Sequence, residues 1–221
     1  MTSKVTLISY SQASNEFEDM GLKDCQELIA YCARVSNPSN QINSGTSEKL
    51  IKYLINNSHW SPLEMVNVCL EIETTRDIAR QILRHRSFSF QEFSQRYANP
   101  TKDMEFVTRE ARLQDNKNRQ NSIDIDDSDL QKQWNSRQQK VIDEALKTYQ
   151  WAIENGIAKE QARVVLPEGN TKSRLYMNGT LRSWIHYIQL RAGHGTQKEH
   201  IEIAKACALV ISEIFPMADS L

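Results

Sequence analysis

The chain has 221 residues, of which 39% are hydrophobic and 25% charged, and its formal net charge at pH 7 is −1. This length is enough for one sizeable domain with a buried core, and the near-zero charge argues against a general nucleic-acid binder. No apolar run approaches the roughly 20 residues that span a bilayer, and the N-terminal residues lack the apolar run and cleavage site of a signal peptide.

Apolar periodicity predicts the elements of the first half of the chain: a strand at 4–11, helices at 24–35 and 47–56, a strand at 65–75 and a helix at 76–84. The first helix would bury Leu28, Ile29, Cys32 and Val35. In the second strand Val66, Val68, Leu70 and Ile72 alternate along one side, which predicts a half-buried strand.

Residues 114–128 are rich in Asn, Gln, Asp and Ser, which predicts an exposed loop. A long helix is predicted at 128–155, because Gly156 is a natural residue to follow a helix end. Its expected apolar side consists of Leu130, Trp134, Val141, Ala145 and Leu146. The remaining predicted elements are a short helix at 159–165, an extended segment at 173–178 and helices at 181–191 and 199–215.

These elements predict one α+β domain over residues 1–221, with a small, mostly antiparallel sheet flanked by helices and a long central helix. Strands and helices do not alternate regularly, so a doubly wound parallel sheet is not expected. The sequence contains neither G-x-G-x-x-G nor G-x-x-x-x-G-K-[ST]. A bound nucleotide or flavin would therefore be held by arginines and helix ends instead of a glycine-rich loop.

The four cysteines are scattered along the chain without C-x-x-C spacing: Cys25, Cys32, Cys69 and Cys207. No metal site is predicted from them. They are expected to be reduced, which favours a cytoplasmic location.

The run RHRSFSFQEFSQRY, residues 84–97, concentrates Arg84, His85, Arg86 and Arg96 around Glu92 and Ser94. Arginine side chains suit phosphate and carboxylate groups and stay charged at any working pH. With three phenylalanines nearby, the run predicts a pocket for a planar phosphorylated ligand. The alternative interpretation is a group of cations at a helix end, where the helix dipole favours them.

The spacing of this run resembles the signature of the flavin-dependent thymidylate synthases: RHR, seven residues and then Ser94, with Arg96 two residues later. Residues 59–64, HWSPLE, are similar to the family's H-x-[ST]-x-x-E segment, although Met65 stands where the family often has a second histidine. Residues 179–191, GTLRSWIHYIQLR, look like the family's late flavin-binding helix. Residues 193–199 depart from the frequent His-Ala-Gln-x-Glu pattern; Gln197 and Glu199 align with it if Gly195 occupies the histidine position.

The resemblance implies two sets of ligand contacts. The implied FAD-binding residues are Ser61, Arg84, His85, Arg86, Glu92, Thr180, Arg182 and His186. The implied dUMP-binding residues are Gln81, Arg84, Glu92, Ser94, Gln95, Arg96, Arg163 and Arg191. Arg191 is also the implied catalytic residue, because a guanidinium can stabilise the pyrimidine as its N–H ionises.

The implied reaction converts dUMP and methylenetetrahydrofolate to dTMP and tetrahydrofolate, with NADPH reducing the FAD that supplies the hydride. Members of the family form homotetramers in which several chains contribute to each site. Two other classes stay open on the sequence alone. One is a nucleotide-binding module without turnover. The other is an RNA-binding protein that uses the arginines at 76, 80 and 84, although RNP-like and KH-like motifs are absent.

Overall fold

The computed structural model describes residues 3–216. Its strands are β1 (Lys4–Tyr10), β2 (Asn67–Thr75), β3 (Ser89–Glu92), β4 (Arg112–Gln114), β5 (Ser122–Asp124) and β6 (Lys172–Thr180). Its α-helices are α1 (Asn15–Asp19), α2 (Cys25–Ala33), α3 (Ser47–Asn56), α4 (Arg76–Ile82), α5 (Pro100–Asp103), α6 (Ser128–Glu154), α7 (Lys159–Ala162), α8 (Leu181–Arg191) and α9 (Lys198–Ser212). Short 3₁₀ turns occur at Pro38–Asn40, Ser44–Thr46, Ser61–Glu64 and Arg163–Val165. The predicted α+β class is confirmed.

The main sheet is antiparallel throughout and has the strand order β1-β2-β6-β3. Strand β2 alternates buried and partly exposed residues, as its sequence predicts, and Val68, Leu70 and Ile72 are all fully buried. Opposite β2, residues Leu175 and Met177 of β6 point to the same buried side. The small sheet therefore has one face in the core and one polar face, as expected for half-buried antiparallel strands.

The core lies between this sheet and helices α2, α3, α4, α8 and α9. Trp184 of α8 is fully buried in it, and its indole N–H donates to the carbonyl oxygen of Val68 at 3.0 Å. Burying an indole without a partner for its N–H is costly, so this bond fixes where α8 lies on the sheet. Among residues 3–216 no helix is long and apolar enough to cross a bilayer.

The long helix α6 has the predicted extent; of its predicted apolar side, Ala145 is buried and Leu146 is partly buried, but the other three predicted residues are not. Leu130, Trp134 and Val141 are exposed, and the buried positions are Gln138, Ile142, Ala145, Tyr149 and Ala152. Gln138 is buried although it is polar, because its amide pairs with both backbone groups of Arg109, at 2.9 and 2.8 Å. A side-chain amide whose donor and acceptor are both hydrogen-bonded can be buried in place of an apolar side chain. A hydrophobicity pattern does not detect such a residue.

Residues 114–128, predicted as an exposed loop, do lie on the surface. They are not all loop, however, because they contain β5, which pairs with β4 in a two-stranded hairpin. The hairpin is tied to α9 by ion pairs, Lys198 with Asp124 and Arg112 with Glu199. Three predicted helix ends also differ from the structure, the first being that of the helix predicted at 76–84, which ends at Ile82. The helix predicted to reach Val35 ends at Ala33, leaving Val35 exposed, and the last helix ends at Ser212.

Replacing Gly179 by alanine should destabilise the fold and displace the aromatic ring of Phe88. A Cβ at Gly179 would lie 2.5 Å from the Phe88 ring, which packs edge-to-face on Trp184. Overpacking of this kind costs about 1–3 kcal/mol. The urea midpoint of G179A measures the cost, and the double variant G179A/F88L should recover part of it. A single variant as stable as the parent chain would contradict this packing.

Candidate functional site

Helix α4 and the turn after it carry the arginine-rich run. Ile82 ends α4, and the backbone N–H of His85 donates to the Ile82 carbonyl oxygen at 3.0 Å, which closes a tight turn. Strand β3 then pairs with β6, so that Glu92 lies opposite Leu175. One helix, one turn and one short strand thus bring residues 76–96 to one edge of the sheet. Because β3 has only four residues, the sequence did not predict it.

A cleft of about 390 Å³ opens beside the N-terminal half of α4. We call it the arginine cleft; its basic and amide side chains are Arg76, Arg80, Gln95, Gln161 and Arg163, with Glu160 and Glu168 at its wall. Arg76 is buried, and burial lowers the pKa of its guanidinium, with the nearby Glu92 carboxylate opposing that effect. A buried cation in a concave site requires anionic partners.

Two buried nitrogens of this cleft lack a hydrogen bond: Nη1 of Arg76 and Nε2 of Gln95. Nη1 of Arg76 lies 3.4 Å from the Glu92 carboxylate, without hydrogen-bond geometry, and Oε1 of Glu92 already accepts from the Ser173 hydroxyl at 2.9 Å. Buried donors in folded proteins nearly always find an acceptor. Two donors without acceptors in a basic cleft are chemically suited to an oxygen-rich anion.

Ser94 and Arg96 stand next to this cleft. Ser94 Oγ accepts from the backbone N–H of Arg96 at 3.3 Å, and the Arg96 guanidinium lies 3.6 Å from the carboxylate of Glu160, a residue of α7. Within the described part of the chain, Ser94 Oγ makes no hydrogen bond to a histidine or a carboxylate that could activate it as a nucleophile. Its hydroxyl is suited to donate to an anion.

His85 and Arg191 form the second group. Nε of Arg191, at the C-terminal end of α8, donates to Nε2 of His85 at 2.9 Å, and the His85 ring packs edge-to-face on Tyr187. Burial, reinforced by the positive charge of Arg191, lowers the pKa of His85 to about 4. His85 is therefore neutral at pH 7, and its Nε2 lone pair orients the guanidinium of Arg191.

The third group joins the 3₁₀ turn Ser61–Glu64 to α8. Glu64 forms an ion pair with Arg182, and the Trp60 ring lies edge-to-face on His186 with ring centroids 4.4 Å apart. Ser61 is exposed at the start of the turn, and burial followed by the charge of Arg182 lowers the pKa of His186. These residues are far apart in sequence, and the fold places them beside one another.

Thr180 has a structural role in the chain as it stands. It is the N-cap of α8, and its hydroxyl oxygen accepts from the backbone N–H of Ser183 at 3.2 Å.

Arg84 and Arg86 are exposed, and no acidic side chain of residues 3–216 lies within salt-bridge distance of either. The turn thus presents two cations that have no acidic partner in the described part of the chain.

Three residues of the site were not assigned from the sequence. Arg76 and Arg80 line the arginine cleft, and their spacing along α4 with Arg84 was the available signal, because like charges at that spacing repel unless an anion lies between them. His200 is fully buried behind Gln81. No motif in the sequence indicated His200, because its hydrogen-bond partners are distant in sequence. Gln81 is more than a hundred residues away, and Tyr187 lies on the preceding helix, α8.

Lowering the pH should destabilise the folded chain through His85 and His200. Burial, with Arg191 nearby, lowers the pKa of each to about 4, compared with 6.5 for an ordinary histidine. Between pH 6.5 and pH 4 the unfolded chain therefore binds more protons than the folded chain. The two histidines make their full contribution to the free energy of unfolding above pH 6.5, and this contribution is lost as the pH falls towards 4. Urea midpoints at pH about 7.5 and about 5 measure the loss. The urea midpoints of the variant H85N/H200N should differ less between the two pH values than those of the parent chain. An equal difference would contradict the conclusion that both histidines are neutral in the folded chain.

Comparison with known proteins places the chain in a family. The family model described as "Thymidylate synthase complementing protein" (Thy1) matches residues 9–217. A probable flavin-dependent thymidylate synthase of Paramecium bursaria Chlorella virus 1 is 50% identical over 196 residues, which is 89% of each chain. A flavin-dependent thymidylate synthase of Synechocystis is 53% identical over 189 residues, covering 86% of this chain and 85% of the relative.

A solved structure shares the fold. The UMP/dUMP methylase PolB of Streptomyces cacaoi, crystallised with 5-Br dUMP, superposes with a TM-score of 0.79 at 24% sequence identity, over 98% of this chain and 93% of that one. At this identity the likeness concerns the fold alone. The family model and the two curated relatives carry the assignment: the chain belongs to the Thy1 family of thymidylate synthase complementing proteins, the family of the flavin-dependent thymidylate synthases.

Proposed function

We propose that the chain is a flavin-dependent thymidylate synthase, an enzyme that methylates dUMP to dTMP with methylenetetrahydrofolate as carbon donor and NADPH as reductant. Family membership and relatives of that name support the proposal. The structural observation that carries it is the pair of buried donors without partners in the arginine cleft, Nη1 of Arg76 and Nε2 of Gln95. A nucleotide phosphate supplies the oxygen acceptors that both lack.

The phosphate of dUMP would lie in the arginine cleft. Arg76, Arg163 and Gln95 line it, and Ser94 and Arg96 stand at its side. Glu92 contacts Arg76 and Arg80 of the cleft and the Ser173 hydroxyl, so it partly neutralises these two cations and orients them. An exposed glutamate, Glu160, now pairs with Arg96 and would give up that contact to the phosphate.

The pyrimidine would lie towards Arg191 and Gln81. Arg191 cannot act as a base, because a guanidinium stays protonated. Its charge can stabilise the negative charge that forms on the uracil when its N–H ionises, which raises the nucleophilicity of the ring carbon. The hydrogen bond to neutral His85 holds the guanidinium plane in place, so no reorganisation is needed as the charge develops.

The residues present fit FAD. Arg84 and Arg86 are exposed cations without acidic partners among residues 3–216, and the two phosphates of FAD provide matching charges. Ser61, Arg182 and His186 form a polar surface around the Trp60 ring, and Thr180 begins the helix that carries two of them. When bound, FAD reduced by NADPH supplies the hydride for the methyl group.

We further propose that the whole of residues 1–221 forms one catalytic domain and that four copies assemble. The outer side of α6 supports assembly, because Trp134, Val141 and Trp151 are all exposed along it. Such apolar surface commonly marks an interface between proteins. The four cysteines are unpaired, which supports the reduced cytoplasmic location inferred from the sequence.

The visible absorption spectrum of the purified protein tests the proposed function. We expect an oxidised-flavin spectrum that changes when dUMP is added, because both ligands would share one site. Turnover with all three substrates should yield dTMP. A protein that binds dUMP but no FAD would be a nucleotide-binding module without turnover and would overturn the proposal, as would tight, steeply salt-dependent RNA binding without flavin.

A further inference from the structure

A continuous chain of hydrogen bonds lies behind Gln81, and we call it the amide relay. It consists of Tyr187, His200, Gln81, Gln197 and Glu199. Tyr187 and His200 are 3.1 Å apart, His200 Nδ1 and Gln81 Oε1 are 3.2 Å apart, and Gln81 Nε2 donates to Gln197 Oε1 at 2.9 Å. Gln197 Nε2 then donates to Glu199 Oε2 at 2.9 Å.

The carboxylate of Glu199 anchors one end of the relay. Glu199 is buried and pairs with Arg112. Burial alone would raise the pKa of this carboxyl, but hydrogen bonds from Arg112, from a backbone N–H and from Gln197 outweigh burial and keep the pKa below its ordinary value. Glu199 is therefore ionised at pH 7, and an ionised carboxylate only accepts hydrogen bonds.

That anchor fixes the direction of every bond in the relay. Gln197 must turn its NH₂ group to Glu199, so its carbonyl oxygen faces Gln81. Gln81 must then turn its NH₂ group to Gln197, so its own carbonyl oxygen faces His200. This oxygen only accepts, and His200 must therefore carry its proton on Nδ1.

The far end of the relay agrees with this direction. Burial, with the charges of Arg191 and His85, lowers the pKa of His200 to about 4, so the ring is neutral and its Nε2 accepts. Burial holds the pKa of Tyr187 well above its ordinary value, so the phenol keeps its proton and donates to Nε2. A single arrangement forms all four hydrogen bonds of the relay, and the reverse arrangement would place two acceptors face to face.

We propose that His200 is a positioning residue that locks the side-chain amide of Gln81 in one orientation, with one N–H of its NH₂ group left free for the pyrimidine of the bound nucleotide. This inference rests on the proposed function, because Gln81 must face dUMP. An unrestrained glutamine presents its oxygen or its nitrogen with similar ease, so the relay makes the residue a specific donor. A buried residue without contact to the ligand would thereby affect nucleotide recognition.

A matched pair of variants separates the two nitrogens of His200. In H200N the amide lies near the position of Nδ1 and can still donate to Gln81. In H200Q the amide lies near the position of Nε2 and can reach only Tyr187. Each variant leaves one buried group unsatisfied, so the two should lose similar stability, and any difference in dUMP binding reports on the bond to Gln81.

We expect the Kd of dUMP to change little in H200N and to rise about 3- to 10-fold in H200Q, the range for one net hydrogen bond. In a Q81A background, the change from His200 to Gln should have no further effect on this Kd. Equal effects of H200N and H200Q, or an H200Q effect that persists with Q81A, would overturn the role of His200. A parent chain that does not bind dUMP would instead overturn the proposed function.

Nitrogen NMR of the parent chain tests the relay without any variant. With histidine labelled with ¹⁵N, His200 should show a protonated Nδ1 and an unprotonated Nε2 at pH about 7. The opposite tautomer would reverse the direction derived from Glu199 and overturn the proposal, whether or not either His200 variant folds.

Discussion

Replacing Arg76 by glutamine should weaken dUMP binding roughly 30-fold or more, since removing one partner of a buried charge pair costs about 2–5 kcal/mol. Arg76 is buried in the arginine cleft with an orphan donor on Nη1. Glutamine keeps a polar amide but loses the charge that the phosphate needs. Isothermal titration with dUMP measures the effect, and deoxyuridine, which lacks the phosphate, should bind the variant and the parent chain alike.

Two controls make this result specific. Arg137 lies exposed on α6, and R137Q should leave the affinity for dUMP unchanged. In R76Q, Glu92 loses one cationic neighbour, so the double variant R76Q/E92Q tests whether repulsion from Glu92 causes the loss. If R76Q weakened dUMP and deoxyuridine equally, the phosphate would lie elsewhere.

Replacing Arg191 by lysine should lower kcat by about 10²–10³, the loss found when one donor to a developing negative charge is removed. Lysine retains the charge but lacks the Nε–H that donates to His85 and the planar fork that this bond orients. The dUMP Kd should change much less than kcat, because the interaction is strongest when the pyrimidine is anionic. Steady-state kinetics with saturating substrates provides kcat.

The flavin spectrum is the control for R191K. A variant that retains bound FAD and still responds to dUMP shows that the loss of kcat is not a loss of cofactor or substrate. An unchanged kcat with a raised KM for dUMP would contradict the catalytic role and leave Arg191 as a residue that binds the ground state and the transition state equally.

Elements with strong periodicity could be predicted from the sequence, and elements that depend on tertiary contacts could not. Strand β2 buries the predicted Val68, Leu70 and Ile72, and helix α8 has the predicted bounds, because each packs on the core along one uninterrupted face. Helix α6 has apolar residues on both sides: Ile142, Tyr149 and Ala152 are buried, whereas Leu130, Trp134 and Val141 are exposed, so hydrophobicity alone does not identify the buried side. The hairpin of β4 and β5 consists of two three-residue strands of polar sequence, which carry no usable pattern.

The candidate site divides in the same way. Motif spacing indicated His85 and Arg191, and the fold joins them by a hydrogen bond across 106 positions of sequence. Arg76 required the structure, because only its burial and its orphan Nη1 distinguish it from a solvated helix arginine. His200 required the structure entirely, since its place in the site depends on where α9 packs against α4.

Helix α8 carries residues of two different groups on one rigid element. Arg182 pairs with Glu64, His186 packs on Trp60, and Arg191 contacts His85. Nine residues at about 1.5 Å each separate Arg182 from Arg191, so the helix fixes roughly 13–14 Å between the proposed flavin and pyrimidine contacts. Inserting or deleting one residue would also rotate Arg191 by about 100° away from His85. Length variation in this region of the chain is therefore compatible with the site only outside α8, for example in the loop between β4 and β5.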